Sequence, residues 1–252
     1  MIVSEVMTTK LVTVFPDDTL SHAAGLLRQH QFHHLPVVRG TSSHVSWEVD
    51  QRSRESPPVL EGLITSQDID LAAAERNGSA DAVQRPWQEQ RVAEVMQRSL
   101  LCVTPTTDVA SAAKLLVERG INCLPVVAYE DASNAEQPLD HEPRTFLVGL
   151  LTRSDLLLAL ARALGAFEPG TELLIPLPAG NLSPLTRMLL LAAASHIEVQ
   201  SVMVAPSKDN RARVATVRLG TINPAPLLEQ LQENNIRYEF AEFQSEGDIH
   251  AR

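Results

Sequence analysis

A short apolar run that ends in a hydroxyl residue, with a carboxylate three positions later, occurs twice in this chain. The copies are Gly62-Leu63-Ile64-Thr65-Ser66-Gln67-Asp68 and Gly149-Leu150-Leu151-Thr152-Arg153-Ser154-Asp155. Each reads as a β-strand followed at once by a helix, with the acidic residue in the helix's opening turn. Thr and Asp then lie together beside the exposed amides of a helix N-terminus, whose partial positive charge favours anions. A carboxylate so placed can accept both hydroxyls of a ribose while the threonine and the amides face a phosphate. The same spacing is a helix-start signature, so one copy alone would read as capping. Two copies, in duplicated units that must face each other, favour a ligand.

The duplication extends well beyond the motif. Residues 3–38 are echoed by residues 92–127 in constant register: Met7 maps to Met96, Pro16 to Pro105, Ala24 to Ala113 and Pro36 to Pro125, each 89 residues on. The second block, 61–70 against 148–157, is offset by 87, and the slip falls in the variable stretch between blocks. A repeat of this length implies two copies of one unit packed together with a cleft between them. Each copy reads as β-α-β-β-α. An extended piece (11–15; 101–104) leads to a helix capped by Asp18 or Thr19 in one copy and by Thr107 or Asp108 in the other. A buried LPVV strand, a second strand (59–65; 146–152) and a second helix follow. Long polar excursions at 40–58 and 129–144 read as projecting loops, and 75–91 as a polar connector.

Beyond Glu168-Pro169-Gly170 the pattern changes. Strand 172–178, a helix from about Ser183 to His196, strands 198–205 and 213–219, a helix 225–234 and a last strand 237–243 give β-α-β-β-α-β, the ferredoxin-like order. The domains expected are thus 1–78 and 92–166 for the repeats, with a 79–91 linker, and 172–246 for the C-terminal segment. The fold class is α+β, with the repeats forming a pseudo-twofold pair.

Composition narrows the function. The formal charge of −10 argues against nucleic acid or anionic membrane as partner, since both select clustered Lys and Arg. No apolar run reaches the roughly 20 residues of a membrane span, and MIVSEVMTTK lacks the features of a signal peptide, so a cytoplasmic location is expected. Cys102 and Cys123 have no CxxC spacing and predict no metal site. No G-x-S-x-G, P-loop lysine, HExxH or dinucleotide fingerprint is present, and no enzyme is expected. Asp17-Asp18 reads as capping, and both cysteines as small buried fillers.

The Met-Thr near the start, the T-V-x-P piece, the L-P-V-V strand and the G-h-h-T-x-x-D ending together resemble tandem CBS domains, a Bateman module, over about residues 1–166. The resemblance implies a regulatory ligand (AMP, ADP, ATP or S-adenosylmethionine) in clefts between the repeats, with no cofactor. It places Thr65 and Asp68 on phosphate and ribose in a first cleft, with Leu63 against the base and His33 and His34 facing phosphate. The far wall would come from Leu101, Cys102 and Ile121. A second cleft would use Thr152 and Asp155 with Leu150, Asn122 and Cys123, against Val12 and Phe32, with Arg153 as its cation. The first cleft is therefore expected to favour phosphorylated ligands.

Residues 172–243 resemble an ACT domain. Gly180, Asn181 and Leu182 sit where that family has a P-G-x-L turn, although Ala179 separates Pro178 from the glycine. The resemblance implies an amino-acid effector site there, or a sheet-pairing dimerisation element. The order CBS–CBS–ACT resembles the acetoin utilization accessory protein group. A nucleotide-binding sensor, a homodimer with a regulated protein partner, is the function expected, and a constitutive dimerisation scaffold with vestigial clefts is the alternative.

Overall fold

The computed structural model describes residues 1–40, 47–48, 58–77, 86–129, 145–206 and 213–241. Most of both polar excursions, much of the connector and the end of the chain lie outside them. Two units are present, residues 1–157 and 158–252.

In the first unit, local sequence builds the helices. α1 (Leu20–His30) turns Leu20, Ala23, Leu26 and Leu27 inward, at the spacing of one helical face, and the Thr19 hydroxyl accepts the His22 amide at 3.2 Å. α4 (Val109–Glu118) repeats this with Val109, Ala112 and Leu116, capped by Asp108 on the Ser111 amide at 2.9 Å. Both helices stop at a left-handed residue, Gln31 (φ 56°) and its repeat-equivalent Gly120 (φ 64°).

The strands form two hairpins that share one sheet. β2 (His34–Arg39) pairs with β4 (Val59–Thr65), and β5 (Cys123–Tyr129) with β6 (Thr145–Thr152), all antiparallel. The order β2-β4-β6-β5 joins the hairpins at Val59 opposite Phe146. β1 (Lys10–Leu11) pairs separately with β3 (Trp47–Glu48). One sheet face buries Leu35, Val37 and Ile64 with α1 and α2 (Ser66–Asn77). Their counterparts Leu124, Val126 and Leu151 form a second core with Ala112 and Leu116. A third cluster, Leu11, Val38, Leu63, Cys123, Leu147 and Leu150, mixes residues of both repeats.

The leading segment of each repeat packs into the other repeat. Val3 and Ser4 donate to the Thr107 and Pro105 carbonyls, both at 2.9 Å, and Val3 is buried in the repeat-2 core. Reciprocally, Val92 and Ala93, at the start of α3 (Val92–Val95), donate to the Asp18 and Pro16 carbonyls at 2.8 and 2.9 Å, and Val92 and Met96 join the repeat-1 core. Thr8 exchanges two backbone bonds with Leu150, as Gln97 does with Leu63. The motif glycines make this approach feasible. A Cβ on Gly62 would lie 2.8 Å from Met96 Sδ and 2.9 Å from the Gln97 carbonyl, and one on Gly149 would lie 2.5 Å from Met7 Sδ.

In the second unit, β7 (Thr171–Leu177), α6 (Ser183–Ala194), β8 (Val199–Pro206), β9 (Arg213–Leu219), α7 (Ala225–Glu233) and β10 (Glu239–Phe240) make an antiparallel sheet of order β10-β7-β9-β8. Leu173, Ile175, Leu177, Ala215, Val217 and Leu219 bury one face against Met188, Leu227 and Leu231 of the helices. On β9 the buried Arg218 donates to the Glu168 carbonyl at 2.7 Å, tying the segment after α5 (Arg153–Ala163) to the sheet.

Two glycines carry opposite expectations. Gly62→Ala must displace a backbone carbonyl as well as a methionine, and is expected to destabilise by about 1–3 kcal/mol. Gly25, inside α1, has no atom within 4 Å of an added Cβ, so Gly25→Ala is expected to stabilise by roughly 0.5–1 kcal/mol. Thermal or urea melts of the two variants check both signs.

Candidate functional site

Both strand–helix motifs close on themselves. Asp68 Oδ2 accepts the Thr65 amide at 2.9 Å and the Thr65 hydroxyl at 2.7 Å. Asp155 Oδ2 accepts the Thr152 amide and hydroxyl, both at 2.7 Å. The Thr hydroxyls in turn accept the Asp amides at 3.1 Å. The capping function of this spacing is therefore present in both copies, and each carboxylate is held in one orientation by it. A residue from the opposite repeat completes each motif: Thr8 donates to Asp155 Oδ1 at 3.0 Å, and the Gln97 amide to Asp68 Oδ1 and Oδ2 at 3.0 and 3.3 Å.

A cavity of about 430 Å³ opens beside the second motif. Repeat 2 contributes Asn122, Leu150, Thr152, Arg153, Ser154 and Asp155; repeat 1 contributes Thr8, Lys10, Leu11, Val12, Gln31, Phe32, His33, His34 and Pro36. Period-2 alternation explains the strand residues. His34 and Pro36 face the cavity while Leu35 and Val37 face the helix core, and Leu150 and Thr152 flank the core residue Leu151. Phe32 and His33 follow the left-handed Gln31 that ends α1, and Phe32 stacks on His30 with ring centroids 5.4 Å apart. The walls combine Leu11, Val12, Pro36 and Leu150 with a rim of Lys10, His33, His34 and Arg153, set against one carboxylate, Asp155.

Of the residues expected in the second cleft, Val12, Phe32, Asn122, Leu150, Thr152, Arg153 and Asp155 line this cavity, and Cys123 does not. Cys123 is buried with Leu147 and Leu150, where loss of water pushes its thiol up to about 12. The histidine pair departs from the expected grouping: both line the cavity of Asp155, not one grouped with Thr65 and Asp68. The physical reason lies in the turn from α1 to β2, which opens toward the start of α5. His34 nevertheless stands opposite Thr65 in the β2–β4 register, so it borders both motifs. Leu63 is buried between the repeats, Ile121 packs on the repeat-2 core, Leu101 is exposed and Cys102 half-buried. In the second unit Asn181 borders a separate depression of about 560 Å³ with Arg187 and Arg237, while Gly180 and Leu182 do not line it.

Sequence reasoning missed Thr8, Lys10, Leu11, Gln31, Pro36 and Ser154. The Met-Thr pair at the start held the signal for Thr8, but nothing local shows that a leading segment serves the opposite repeat. Among the described residues no group of three or more His, Cys, Asp or Glu could hold a metal ion, and no helix is long and apolar enough to cross a membrane.

Burial and then the neighbouring His33 lower the His34 pKa, and Asp68 opposes them. The folded His34 thus binds protons less readily than the unfolded chain does, and its contribution to stability is lost as pH falls below the ordinary value of 6.5. His34→Gln is therefore expected to lose less stability than the parent between pH 7.5 and 5.5. The difference between paired thermal melts reads the effect.

Comparison with known proteins follows this geometry. The CBS domain pair of protein MJ0100 in complex with 5′-methylthioadenosine and S-adenosyl-L-methionine is similar in structure, with TM-score 0.43 and 21% identity, covering 64% of this chain and 97% of that one. A candidate acetoin utilization protein (AcuB) from Vibrio cholerae gives TM-score 0.46 and 24% identity over 67% of this chain and 98% of its own. The CBS domain family profile matches residues 3–45 and 92–162. The CBS domain-containing protein YhcV of Bacillus subtilis (strain 168) is 32% identical over 127 residues, which cover 50% of this chain and 71% of the relative. With both repeats matched and a relative of that identity over most of its own length, this chain belongs to the CBS domain-containing proteins.

Proposed function

We propose that residues 1–157 act as a non-catalytic regulatory sensor that holds an adenosine-type ligand (AMP, ADP, ATP or S-adenosylmethionine) in the cavity beside Thr152 and Asp155. The observation that carries this reading is the lining itself. A fixed carboxylate next to a helix N-terminus suits a sugar diol and a phosphate, while the apolar walls suit a base. On the rim, Lys10 and Arg153 place positive charge beside His33 and His34 in a chain of net charge −10, which suits an anion. The volume of about 430 Å³ falls within the range of small-ligand sites. CBS domains are generally regulatory modules, which agrees with a cavity whose only described carboxylate is engaged in capping. Because both repeats line the cavity, a ligand that binds one mutual arrangement more tightly shifts the population toward it.

For the C-terminal unit we propose a ferredoxin-like, ACT-like domain. The element order and the sheet order β10-β7-β9-β8 support it. The two arginines beside Asn181 support an effector carrying a carboxylate. A homodimerising scaffold is the second reading, favoured by the edge strand β8, which exposes Val202, Met203 and Val204 in succession.

Thermal shift with AMP separates the readings. At a hundredfold excess over Kd the sensor gains about 2.7 kcal/mol of stability, and Asp155→Ala is expected to lose most of that gain. A scaffold with vestigial clefts gives no shift with AMP, ADP, ATP or S-adenosylmethionine in either protein, and that result would remove the sensor reading.

A further inference from the structure

We propose that Gln97 closes the cleft around Asp68, so that the chain holds a single anionic nucleotide, at Asp155; the inference rests on the sensor reading above. The frame predicts two equal sites, since the two motifs superpose residue for residue in the repeat register. The side chains that complete them differ.

An ionised carboxylate offers about four acceptor positions. Asp68 has four contacts: the Thr65 amide and hydroxyl on Oδ2 at 2.9 and 2.7 Å, and Gln97 Nε2 on Oδ1 and Oδ2 at 3.0 and 3.3 Å. Asp155 has three: the Thr152 amide and hydroxyl on Oδ2, each at 2.7 Å, and the Thr8 hydroxyl on Oδ1 at 3.0 Å. Asp155 therefore keeps an acceptor position on Oδ1 for a sugar hydroxyl. Thr8 can also rotate its hydroxyl and accept from the incoming group, whereas the Gln97 amide nitrogen only donates. A diol at Asp68 must first break a charge-assisted contact that the protein makes with itself, at a cost of about tenfold or more in affinity.

The cationic rim is absent from the equivalent positions. In the repeat register Lys10, His33 and His34 correspond to Ser99, Asn122 and Cys123, and Arg153 corresponds to Ser66. The Asp68 carboxylate is thus engaged by an internal amide, and the positions equivalent to Lys10 and Arg153 carry no charge. Gln97 stands at the position that Thr8 occupies in repeat 1, so one substitution exchanges the two situations.

Titration calorimetry on the full chain tests this with AMP and with adenosine, which has no phosphate to seek the rim. The parent is expected to bind one AMP per chain and to lose it in Asp155→Asn, a change that keeps an oxygen for the cap. Gln97→Thr, at an exposed side chain outside the core, is expected to raise adenosine stoichiometry from one to two. Adding Asp68→Asn to Gln97→Thr removes the gained site. Two AMP per parent chain, AMP binding that survives Asp155→Asn, or unchanged adenosine stoichiometry in a folded Gln97→Thr variant would overturn the closure by Gln97 while leaving the sensor reading standing. If the parent binds none of AMP, adenosine, ADP, ATP and S-adenosylmethionine, the sensor reading falls and this inference with it.

Discussion

Neither repeat of the first unit completes its own core. Each sends its leading segment across to the other, where a methionine seats against a glycine and a backbone pair locks it down. Met96 sits over Gly62 and Met7 over Gly149, with Gln97 bonded to Leu63 and Thr8 to Leu150. Because an added Cβ at either glycine would collide with the incoming sulfur, close approach and glycine identity are one requirement. The same crossing carries Thr8 onto Asp155 and Gln97 onto Asp68. The packing that holds the pair together therefore also chooses what touches each motif carboxylate. Folding and recognition are coupled at these contacts.

On that symmetric frame the chemistry is unsymmetrical. The rim of basic residues comes from repeat 1 and from the start of α5, and it surrounds only the carboxylate of repeat 2 in the described cavity. In an acidic chain such a cluster is a local reversal of sign, and it favours an anion at that place. Burial of His34 and the neighbouring His33 work against its charge, and Asp68 partly offsets this. Gln31, in a left-handed conformation that its counterpart Gly120 adopts without strain, forms part of the cavity wall. Unfavourable backbone at a binding surface is a common price of positioning, and here it sets the turn that delivers Phe32 and His33.

The second unit relies on different physics. Its sheet buries one face through strict alternation in β7, where Leu173, Ile175 and Leu177 point to the helices. Arg218 is the exception on β9, a buried cation that donates through Nη2 to the Glu168 carbonyl and lies 3.6 Å from Glu172, while its Nε has no partner among the described residues. Its interaction fixes the chain just before β7.

Much was determined by sequence alone because it depends on neighbours in the chain. The duplication, the capping positions to within one residue (Asp18 or Thr19; Thr107 or Asp108), the Thr–Asp spacing and the helix faces of α1 and α4 follow from local period and register, and the structure selects Thr19 and Asp108. So does the β-α-β-β-α-β order after residue 170. Tertiary structure decided which repeat each leading segment serves, because that depends on contacts between residues distant in the chain, such as Val3 with Thr107 and Val92 with Asp18, and backbone pairing at Thr8 and Gln97 leaves no local trace. It also moved His33 and His34 to the cavity of Asp155, since the turn after α1 opens toward a helix from the other repeat. It removed Cys123 from that cavity, because the face its strand presents there is closed by Leu147 and Leu150. Residue types set the available chemistry, but long-range packing assigned the partners.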